Sequence, residues 1–405
     1  MGCDIIKIYK TIIIPVKCSA YNLNYLFECN KLSALVWNQC VYLDNKYKEN
    51  NEGKFISQNE LQKELKNHCK LHAKGIQHII IKYVTARSAM FKSIKAKHEN
   101  SNKVKLPYKK KKYFVTGWDK QSIKIYYDKG IIKLSKPKMY LDNKNKIQKP
   151  IKCYSKNIPQ NIVEIELIWK GKLYLAIKYI EEKEYKQINS NNSASIDLGE
   201  IHAITSIDSD NGNVIIITGR KIRTLRRLKN KHQAKIYNKM SKCTKDSKKY
   251  KKYLKALNKL KKNIDNKILN CVHKITKLYL DYCLFNSIST VYYGDLDSAT
   301  RSTKQKKKMN KLVRQKLNQW NFGQIVKQLE NKLTRYGIEL VKVKEYYTSS
   351  KCPNCTKLNK PTKRNYICSC GYKQHRDIVG AINILNDNAN TNLTKYKTFK
   401  YLQIS

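Results

Sequence analysis

The chain has 405 residues, enough for two or three domains of about 100 to 200 residues each, which excludes a single small module. It carries 83 Lys and Arg against 30 Asp and Glu, a net charge of +53 at pH 7, so we expect a polyanionic partner, with nucleic acid as the default. No apolar run reaches about 18 residues. Asp4 and three lysines stand in the N-terminal segment where a secretory signal needs an unbroken apolar stretch. We therefore expect neither membrane association nor secretion.

The first half of the chain predicts β-strands on either side of a helical segment. Ile12, Ile13 and Ile14 form a β-branched run that Pro15 interrupts, which is typical of a strand near the edge of a sheet. Residues 22–98 have a helical pattern. Residues 105–188 carry short apolar runs bounded by Gly and Pro, which indicate a small β-rich domain. The first strand can join that domain, with the helical segment as an insertion.

From residue 193 the pattern changes to that of an antiparallel meander followed by helices. Three strands are predicted, at residues 195–199, 203–207 and 214–217. Asn211-Gly212 is a turn signal between the second and third strands. A basic region follows in which apolar residues recur at three- and four-residue steps, and residues 241–247 break the run. We therefore expect two helices packed as a hairpin.

The remaining elements alternate between strands and helices. Residues 288–293 and 338–343 predict strands, residues 317–336 a helix between them, and residues 378–385 a closing helix. A three-stranded meander followed by two strands that alternate with helices is the pattern of an RNase H-like α/β core.

Cysteine spacing indicates a metal site. Thirteen cysteines in a chain without a secretory signal point to a reducing compartment. Cys352 and Cys355 form one close pair, and Cys368 and Cys370 form another after twelve intervening residues. Four thiolates at this spacing can converge on one tetrahedral ion, and zinc best suits such a soft, redox-silent set. Because a four-thiolate site has no open position, we expect structural zinc and no catalysis there.

Two aspartates stand at the ends of predicted elements. Asp197 ends the first meander strand, and Asp377 opens the closing helix. Clustered carboxylates can hold two divalent cations about 3.5 to 4 Å apart, which activate a water and stabilise the leaving oxygen of a phosphodiester. Taken singly, Asp197 has the alternative of a turn residue and Asp377 that of a helix N-cap. Their joint placement around one sheet favours the nuclease interpretation, but the residues alone leave these alternatives open.

A dense basic stripe opens the predicted hairpin. Its members are Lys221, Arg223, Arg226 and Arg227, with Lys229 and Lys231. Such a stripe suits the phosphates of a nucleic-acid duplex, and a merely solvated helix face is the alternative that the general lysine excess leaves open. We also expect Arg376, next to Asp377, to bind nucleic acid.

Four segments resemble one protein family. They are S-I-D-L-G at residues 195–199, G-D-L at 294–296, T-S-S-K-C-P-N-C at 348–355 and H-R-D-I-V-G-A-I-N-I-L at 375–385. They resemble the TnpB proteins of bacterial transposons and, more closely, the Fanzor proteins, which are TnpB-like relatives in eukaryotes and their giant viruses. The resemblance is specific over residues 190–387 and only architectural before them.

The resemblance implies a multidomain α/β protein that acts as an RNA-guided DNA endonuclease. The implied domains are a β-barrel-like wedge domain (1–20 and 104–190), an inserted helical recognition domain (21–103), a RuvC-like nuclease domain of the RNase H fold with the hairpin as an insertion (191–346), an inserted zinc finger (347–373), the closing nuclease helix (374–388) and a C-terminal tail (389–405). Asp197 would be the first acid of the nuclease site and Asp377 the third.

The second acid departs from the usual TnpB pattern. TnpB proteins usually have Glu after the fourth strand, where this chain has Gly294, which offers no side-chain ligand. Many Fanzor-like proteins carry an alternative Glu before the zinc finger, and Glu345 matches that position. The fifth strand would lie beside the fourth, so Glu345 just past its end could enter the same crevice. Asp295 is the competitor, although strand alternation would turn it away if position 294 faces the crevice. Glu339 and Glu330 are less well placed.

The function implied is cleavage of double-stranded DNA that pairs with a guide RNA and carries a short flanking motif. Asp197, Glu345 and Asp377 would hold two magnesium ions, and one chain would bind one RNA. Two alternatives remain open: a nuclease-inactive RNA-guided repressor, which Gly294 favours, and a transposase that acts without RNA. The lysine and asparagine excess and the Fanzor-like second acid favour a virus-encoded protein in the nucleus or cytoplasm of a eukaryotic cell.

Overall fold

The computed structural model describes residues 4–95, 110–137, 149–185, 190–294, 322–344, 347–359 and 364–404. The chain divides into two compact units, residues 5–183 and residues 184–405, the second of which also includes Met1–Asp4. Among the described residues, no helix is both long and apolar enough to cross a membrane.

The N-terminal unit, residues 5–183, combines helices with two sheets. Its helices are α1 (Ala20–Asn50), α2 (Gln58–Glu64) and α3 (Ala73–Lys95). Its strands are β1 (Asp4–Pro15), β2 (Thr116–Asp119), β3 (Ile123–Tyr126), β4 (Ile131–Leu134), β5 (Ile151–Tyr154), β6 (Ile162–Trp169) and β7 (Leu173–Tyr185). One sheet has the order β1-β7-β6-β2 and the other β3-β4-β5. Strand β1 lies at a sheet edge, as Pro15 predicts, and pairs with a strand from beyond the helices.

A buried charge pair connects α1 to α3. Asp44 on α1 accepts hydrogen bonds from the Tyr83 hydroxyl at 2.6 Å and from Arg87 at 2.6 Å, and all three side chains are buried. Arg87 also donates to the carbonyl of Ile56, so its charge is paired as buried charges require.

The C-terminal unit, residues 184–405, holds the second set of predicted elements. Its strands are β8 (Ser193–Asp197), β9 (His202–Asp208), β10 (Asn213–Thr218), β11 (Thr290–Gly294), β12 (Glu339–Val343), β13 (Asn365–Ile367), β14 (Lys373–His375) and β15 (Thr398–Leu402). Its helices are α4 (Arg220–Ser241), α5 (Lys248–Phe285), α6 (Phe322–Leu333) and α7 (Arg376–Ala389). The meander, the helical hairpin and the two later strands lie where the sequence predicts them. Of the helix predicted over 317–336, residues 317–321 lie outside the described part of the chain.

Six strands of this unit form one sheet in the order β12-β11-β8-β9-β10-β15. Strands β8, β9 and β10 are antiparallel neighbours, whereas β11 runs parallel to both β8 and β12. The meander turn is fixed by Asp208, whose carboxylate accepts the backbone N–H groups of Asn211 and Asn213, and by Gly212 in the left-handed region.

Alternating side chains of the sheet build a core on each face. Ile215 and Ile217 pack with residues of α5 and α6 on one face, and Val214 and Ile216 pack with α7 on the other. This two-sided burial explains why β10 is almost continuously apolar. Helix α7 therefore lies flat on the sheet with its N-terminus near the carboxyl end of β8.

The end of the chain extends the sheet. Residues 398–402, assigned above to a C-terminal tail, form β15, which runs parallel to β10 with Ile216 paired to Tyr401. Without β15, the outer backbone groups of the apolar strand β10 would be exposed as an unpaired edge. The tail thus belongs to the folded unit.

Candidate functional site

Asp197 occupies the carboxyl end of β8, directly against helix α7. A Cβ atom added at Gly380 would lie 2.9 Å from Oδ2 of Asp197 and 3.3 Å from its Cγ. Such distances are too short for any side chain at position 380. A glycine in α7 is therefore what lets the Asp197 carboxylate approach the helix.

Asp377 lies in the first turn of the same helix, three residues before Gly380. His375 caps α7, because its Nδ1 accepts the backbone N–H of Asp377 at 3.3 Å. Residues three apart on a helix share a face, so the Asp377 carboxylate and the Asp197 carboxylate both border this first turn. The two predicted acids, 180 positions apart in the chain, therefore both lie beside the N-terminal part of α7.

The Asp377 carboxylate is half-buried and hydrogen-bonded. Nδ1 of His202, the first residue of β9, lies 2.8 Å from its Oδ2. Burial raises the pKa of the Asp377 carboxyl, but the hydrogen bond from His202 and the electrostatic effects of the neighbouring His375 and Arg364 outweigh it, and the net pKa is below the usual value. The positive end of the helix dipole acts in the same direction. Asp377 is therefore a carboxylate at neutral pH, as a cation ligand must be.

Successive residues of the first turn of α7 face different parts of the unit. Ile378 packs in the sheet core beside Ile216, whereas Val379 packs in the cysteine cluster beside Cys352. The Ser195 hydroxyl donates to the carbonyl of Ala381 at 2.6 Å, which links β8 to the helix. These contacts fix the orientation of the turn that carries Asp377.

His202 was not among the residues that the sequence predicts. Its partner is 175 positions away, and a histidine at the start of a strand has no local signal of such pairing. The glycine at 380 did carry a signal, since a glycine inside a helical pattern often marks a close approach.

The second acid depends on residues that the structure leaves undescribed. Strand β12 lies beside β11, with Val343 paired to Gly294, as the proposed replacement requires. Glu345 follows Val343 by two positions and lies outside the described residues, as does Asp295. Glu339 pairs with Thr290 at the opposite end of β12, far from the edge that carries Asp197.

The four predicted cysteines form one cluster. The Sγ atoms of Cys352 and Cys370 are 3.7 Å apart, and those of Cys355 and Cys368 are 3.5 Å apart. Tetrahedral zinc with Zn–S bonds of about 2.3 Å places sulfurs about 3.8 Å apart, so the cluster fits a zinc ion.

Local hydrogen bonds favour the thiolate at Cys368. The backbone N–H of Cys370 and the Asn359 amide, whose nitrogen lies 3.1 Å from the Cys368 Sγ, lower the pKa of this thiol to about 6. Asn383 on α7 donates to the carbonyls of Thr348 and Lys351, so the segment that leads into the cluster is bound to the helix. The cluster and the acidic site therefore share α7 as their support.

The predicted basic residues fall on α4 and at the start of α7. Lys221, Arg223, Arg227 and Arg376 are exposed, whereas Arg226 is partly buried. Nε of Arg223 lies 3.6 Å from Glu200, which follows the β8 end by three positions. The basic stripe thus begins near the loop after Asp197.

We expect Cys368→Ser to bring the zinc content of the purified protein well below about one ion per chain, because serine is a poor replacement for a thiolate ligand. Elemental mass spectrometry after dialysis measures it. Cys243→Ser is the matched control, since the Cys243 thiol donates only to the Lys239 carbonyl and a hydroxyl can replace it. Equal zinc contents in the two variants would contradict the assignment.

Two family models match this chain. The model described as "Probable transposase" (OrfB_IS605) matches residues 176–300, and the model of the Cas12f1-like TNB domain matches residues 322–384. Together they cover the region that holds the other five strands of the β15-containing sheet, the hairpin and the cysteine cluster.

Curated relatives point to the same family. The chain is 25% identical over 209 residues to the TnpB-like protein MJ0751 of Methanocaldococcus jannaschii, a match that covers 51% of this chain and 71% of the relative. It is 28% identical over 126 residues to the TnpB-like protein L79 of Acanthamoeba polyphaga mimivirus, covering 31% of this chain but only 23% of that protein.

Solved structures share the fold. The chain in a Cas12f1-sgRNA-target DNA complex superposes with a TM-score of 0.65 at 14% identity, over 93% of this chain and 98% of that one. The mini-RNA-guided endonuclease CRISPR-Cas_phi3 gives a TM-score of 0.55 at 12% identity, over 98% of this chain and 94% of that one. The family models and the TnpB-like relatives agree with the motifs and support the TnpB family for this chain, and the solved structures show the same fold.

Proposed function

We propose that this protein is an RNA-guided DNA endonuclease that cuts double-stranded DNA. The observation that carries the proposal is the placement of both Asp197 and Asp377 beside the N-terminal part of α7, Asp197 at the carboxyl end of β8. Carboxylates held on rigid elements can supply the oxygen ligands that divalent cations such as magnesium prefer.

The donor set fits magnesium. Magnesium prefers oxygen ligands and usually takes one or two protein carboxylates together with water and substrate phosphates. Because His202 engages Oδ2 of Asp377, the other oxygen of that carboxylate is available as a ligand. We propose Asp197, Glu345 and Asp377 as the residues that hold two magnesium ions.

The order of the sheet supports a RuvC-like domain of the RNase H fold. Strands β8 to β10 form the antiparallel meander, and β11 and β12 follow on the other side of β8 in parallel, each after a helix. Within this proposal, the cysteine cluster is a structural zinc finger inserted before the closing helix α7. The sheets and helices of the N-terminal unit would be the wedge and recognition domains.

The helical hairpin of α4 and α5 supports a nucleic-acid partner. Residues 220–264 hold nineteen Lys and Arg but a single acidic residue, Asp246. Arg223 and Arg227 on α4 are exposed and therefore accessible to a phosphate. A solvated helix face needs no such one-sided charge, so we propose that Lys221, Arg223, Arg226, Arg227 and Arg376 contact the phosphate backbone.

The partners follow from the structural neighbours and the charge. A chain of the same fold has been solved with a single guide RNA and target DNA, which supports these two partners here. We propose that one chain binds one guide RNA and reads a short motif beside the paired DNA. The matches in an amoeba-infecting virus are consistent with action in the nucleus or cytoplasm of a eukaryotic host.

Each side chain of the site has a defined task in this mechanism. Two divalent ions bound there would activate the attacking water and stabilise the leaving oxygen of the phosphodiester. Asp197 and Asp377 hold their carboxylates at the edge of the sheet, and Gly380 leaves the space that Asp197 occupies. The hairpin neutralises phosphates and keeps the strand beside that edge.

Asp197→Ala and Asp377→Ala should each lower the rate of DNA cleavage more than about a hundredfold, since direct ligands matter more than outer-shell residues, whose loss costs about 10- to 100-fold. The assay is magnesium-dependent cleavage by the purified protein with its copurified RNA. RNA and DNA binding should stay near wild type.

The matched control for these two variants is Asp210→Ala, which removes an exposed carboxylate from the meander turn of the same sheet. Its cleavage rate should equal that of the wild type. If Asp197→Ala or Asp377→Ala cuts DNA at the wild-type rate, the assignment of that residue to the site is wrong. Undiminished cutting after RNase treatment would instead favour a transposase that acts without RNA.

For the second acid, Glu345→Gln should be as damaging as the loss of Asp197, and Asp295→Asn should be milder. The reason is that β12 lies beside β11 and Gly294 offers no ligand. Single-turnover cleavage rates of the two variants give the ranking. The opposite ranking would move the second acid to Asp295.

Gly380→Ala should reduce cleavage by about 100-fold, since the added Cβ displaces the Asp197 carboxylate and misplacement by about 1 Å can have that effect. The melting temperature should also fall modestly, because overpacking costs about 1 to 3 kcal/mol and the helix propensity of alanine offsets only about 1 kcal/mol of it. Gly323→Ala in α6 is the control, as its Cβ would meet nothing within 4 Å. Thermal melts and cleavage rates are compared, and equal activity of both variants would show that the close approach is unimportant.

Gly294 favours one further candidate, an RNA-guided repressor that binds DNA without cutting. It predicts guide-dependent DNA binding and no cleavage in magnesium or manganese. The retained Asp197 and Asp377, with the latter kept ionised by its neighbours, speak against it.

A further inference from the structure

His202 lies beside the proposed nuclease centre without belonging to its predicted acids. Only 8% of its side chain is exposed, and the ring stands between two aromatic neighbours. The centroid of His375 is 5.1 Å away, and the ring of Tyr401 meets it edge-on with centroids 5.9 Å apart. The imidazole is thus enclosed on several sides and held in one orientation.

The hydrogen bond to Asp377 has a defined direction. Asp377 is ionised, so its carboxylate can only accept, and Nδ1 of His202 must carry the proton. This hydrogen bond occupies Oδ2 of Asp377 and restricts rotation of the carboxylate about its Cβ–Cγ bond. Outer-shell partners of this kind orient metal-binding carboxylates and are worth about 10- to 100-fold in metal affinity.

Tyr401 reaches this histidine from the C-terminal strand. Its pairing with Ile216 in the register of β15 and β10 places it on the α7 face of the sheet. On the other side of β10, Thr218 pairs with His202 of β9 after an irregularity in the register, at the sheet edge where Asp197 ends β8. The last strand of the chain therefore supplies one wall of the pocket that holds His202.

We propose that His202 is a positioning residue for the Asp377 carboxylate and that Tyr401 of β15 holds the His202 ring in place. This inference rests on the proposed nuclease function, because it assigns a role at the same centre. It makes the C-terminal strand part of the metal site, although β15 contributes no ligand.

The alternative is that His202, His375 and Asp377 ligate an ion together, since one ligand atom from each lies within 4.8 Å of the others. The hydrogen bonds oppose this. Nδ1 of His375 already accepts the Asp377 N–H, and Nδ1 of His202 is protonated towards the carboxylate. Neither Nδ1 therefore offers a lone pair to a cation, and a neutral His375 carries its proton on Nε2, so a site with all three ligands would have to break the existing hydrogen bonds.

The test measures manganese binding directly, with Mn²⁺ in place of magnesium. Electron paramagnetic resonance follows free Mn²⁺ during titration of the full-length protein with its copurified RNA and without target DNA. Mn²⁺ binding that the wild type shows and Asp377→Ala lacks is assigned to the proposed nuclease site. His202→Ala should weaken this component about 10- to 100-fold and raise the metal concentration for half-maximal cleavage in the same direction.

His202→Asn separates hydrogen bonding from bulk. The Asn amide nitrogen can stand where Nδ1 stands and donate to Asp377, so this variant should recover affinity to within about threefold of wild type. Melting temperature and zinc content confirm that each variant is folded. His202→Ala binding Mn²⁺ like the wild type, or His202→Asn binding as weakly as His202→Ala, would overturn the proposal.

Tyr401→Ala should weaken Mn²⁺ binding by less than His202→Ala does. Phe399→Ala, an exposed aromatic on the same face of β15 but two positions further from the site edge, should leave it unchanged. Equal effects of the two β15 variants would overturn the role of Tyr401. If the wild type shows no Asp377-dependent Mn²⁺ binding and does not cut DNA, the nuclease function itself is overturned. That outcome is distinguishable from a failure of the roles proposed for His202 and Tyr401.

Discussion

Helix α7 approaches strand β8 so closely that position 380 has room for no side chain. Other contacts of the helix N-terminus depend on this approach. It puts Val379 into the cysteine cluster, Ile378 into the sheet core and Asp377 against His202, each on a different side of one helical turn. A helix even 1 Å further from the sheet would separate the Asp197 and Asp377 carboxylates and loosen the hydrogen bond between Ser195 and Ala381.

Electrostatics explain why this turn is suited to acids. Two carboxylates that share a crevice repel one another, and without compensation one of them would take up a proton. Here the helix N-terminus, the His202 hydrogen bond and nearby basic residues favour the charged form of Asp377. The large positive charge of the rest of the chain adds a long-range field of the same sign. The charged form of Asp377 is thus favoured within a chain whose net charge is strongly positive.

The sequence predicted the parts of the fold that depend on local patterns. The meander followed from alternation around Asn211-Gly212, and the hairpin followed from the apolar spacing of α5 and the break after α4. The cysteine cluster followed from spacing alone, because two pairs so close in the chain have few other ways to pack.

Residues that act across long separations were not predictable in this way. His202 and Asp377 meet only because β9 and α7 cross, and β15 is too short and polar for its alternation to stand out. The place of Glu345 came from family resemblance and stays a prediction.

The cysteine cluster and the acidic site are mechanically connected. Asn383, two turns into α7, is bound to the carbonyls of Thr348 and Lys351, and Lys351 precedes the first cysteine. Val379 adds an apolar contact between the cluster and the first turn. A cluster held by zinc would therefore brace the helix from the side opposite the sheet. Loss of the ion would release the loop that Asn383 binds, and the helix would then be held in place by the sheet alone. This connection gives the cysteine cluster a physical route to influence the position of the first turn of α7, where Asp377 lies.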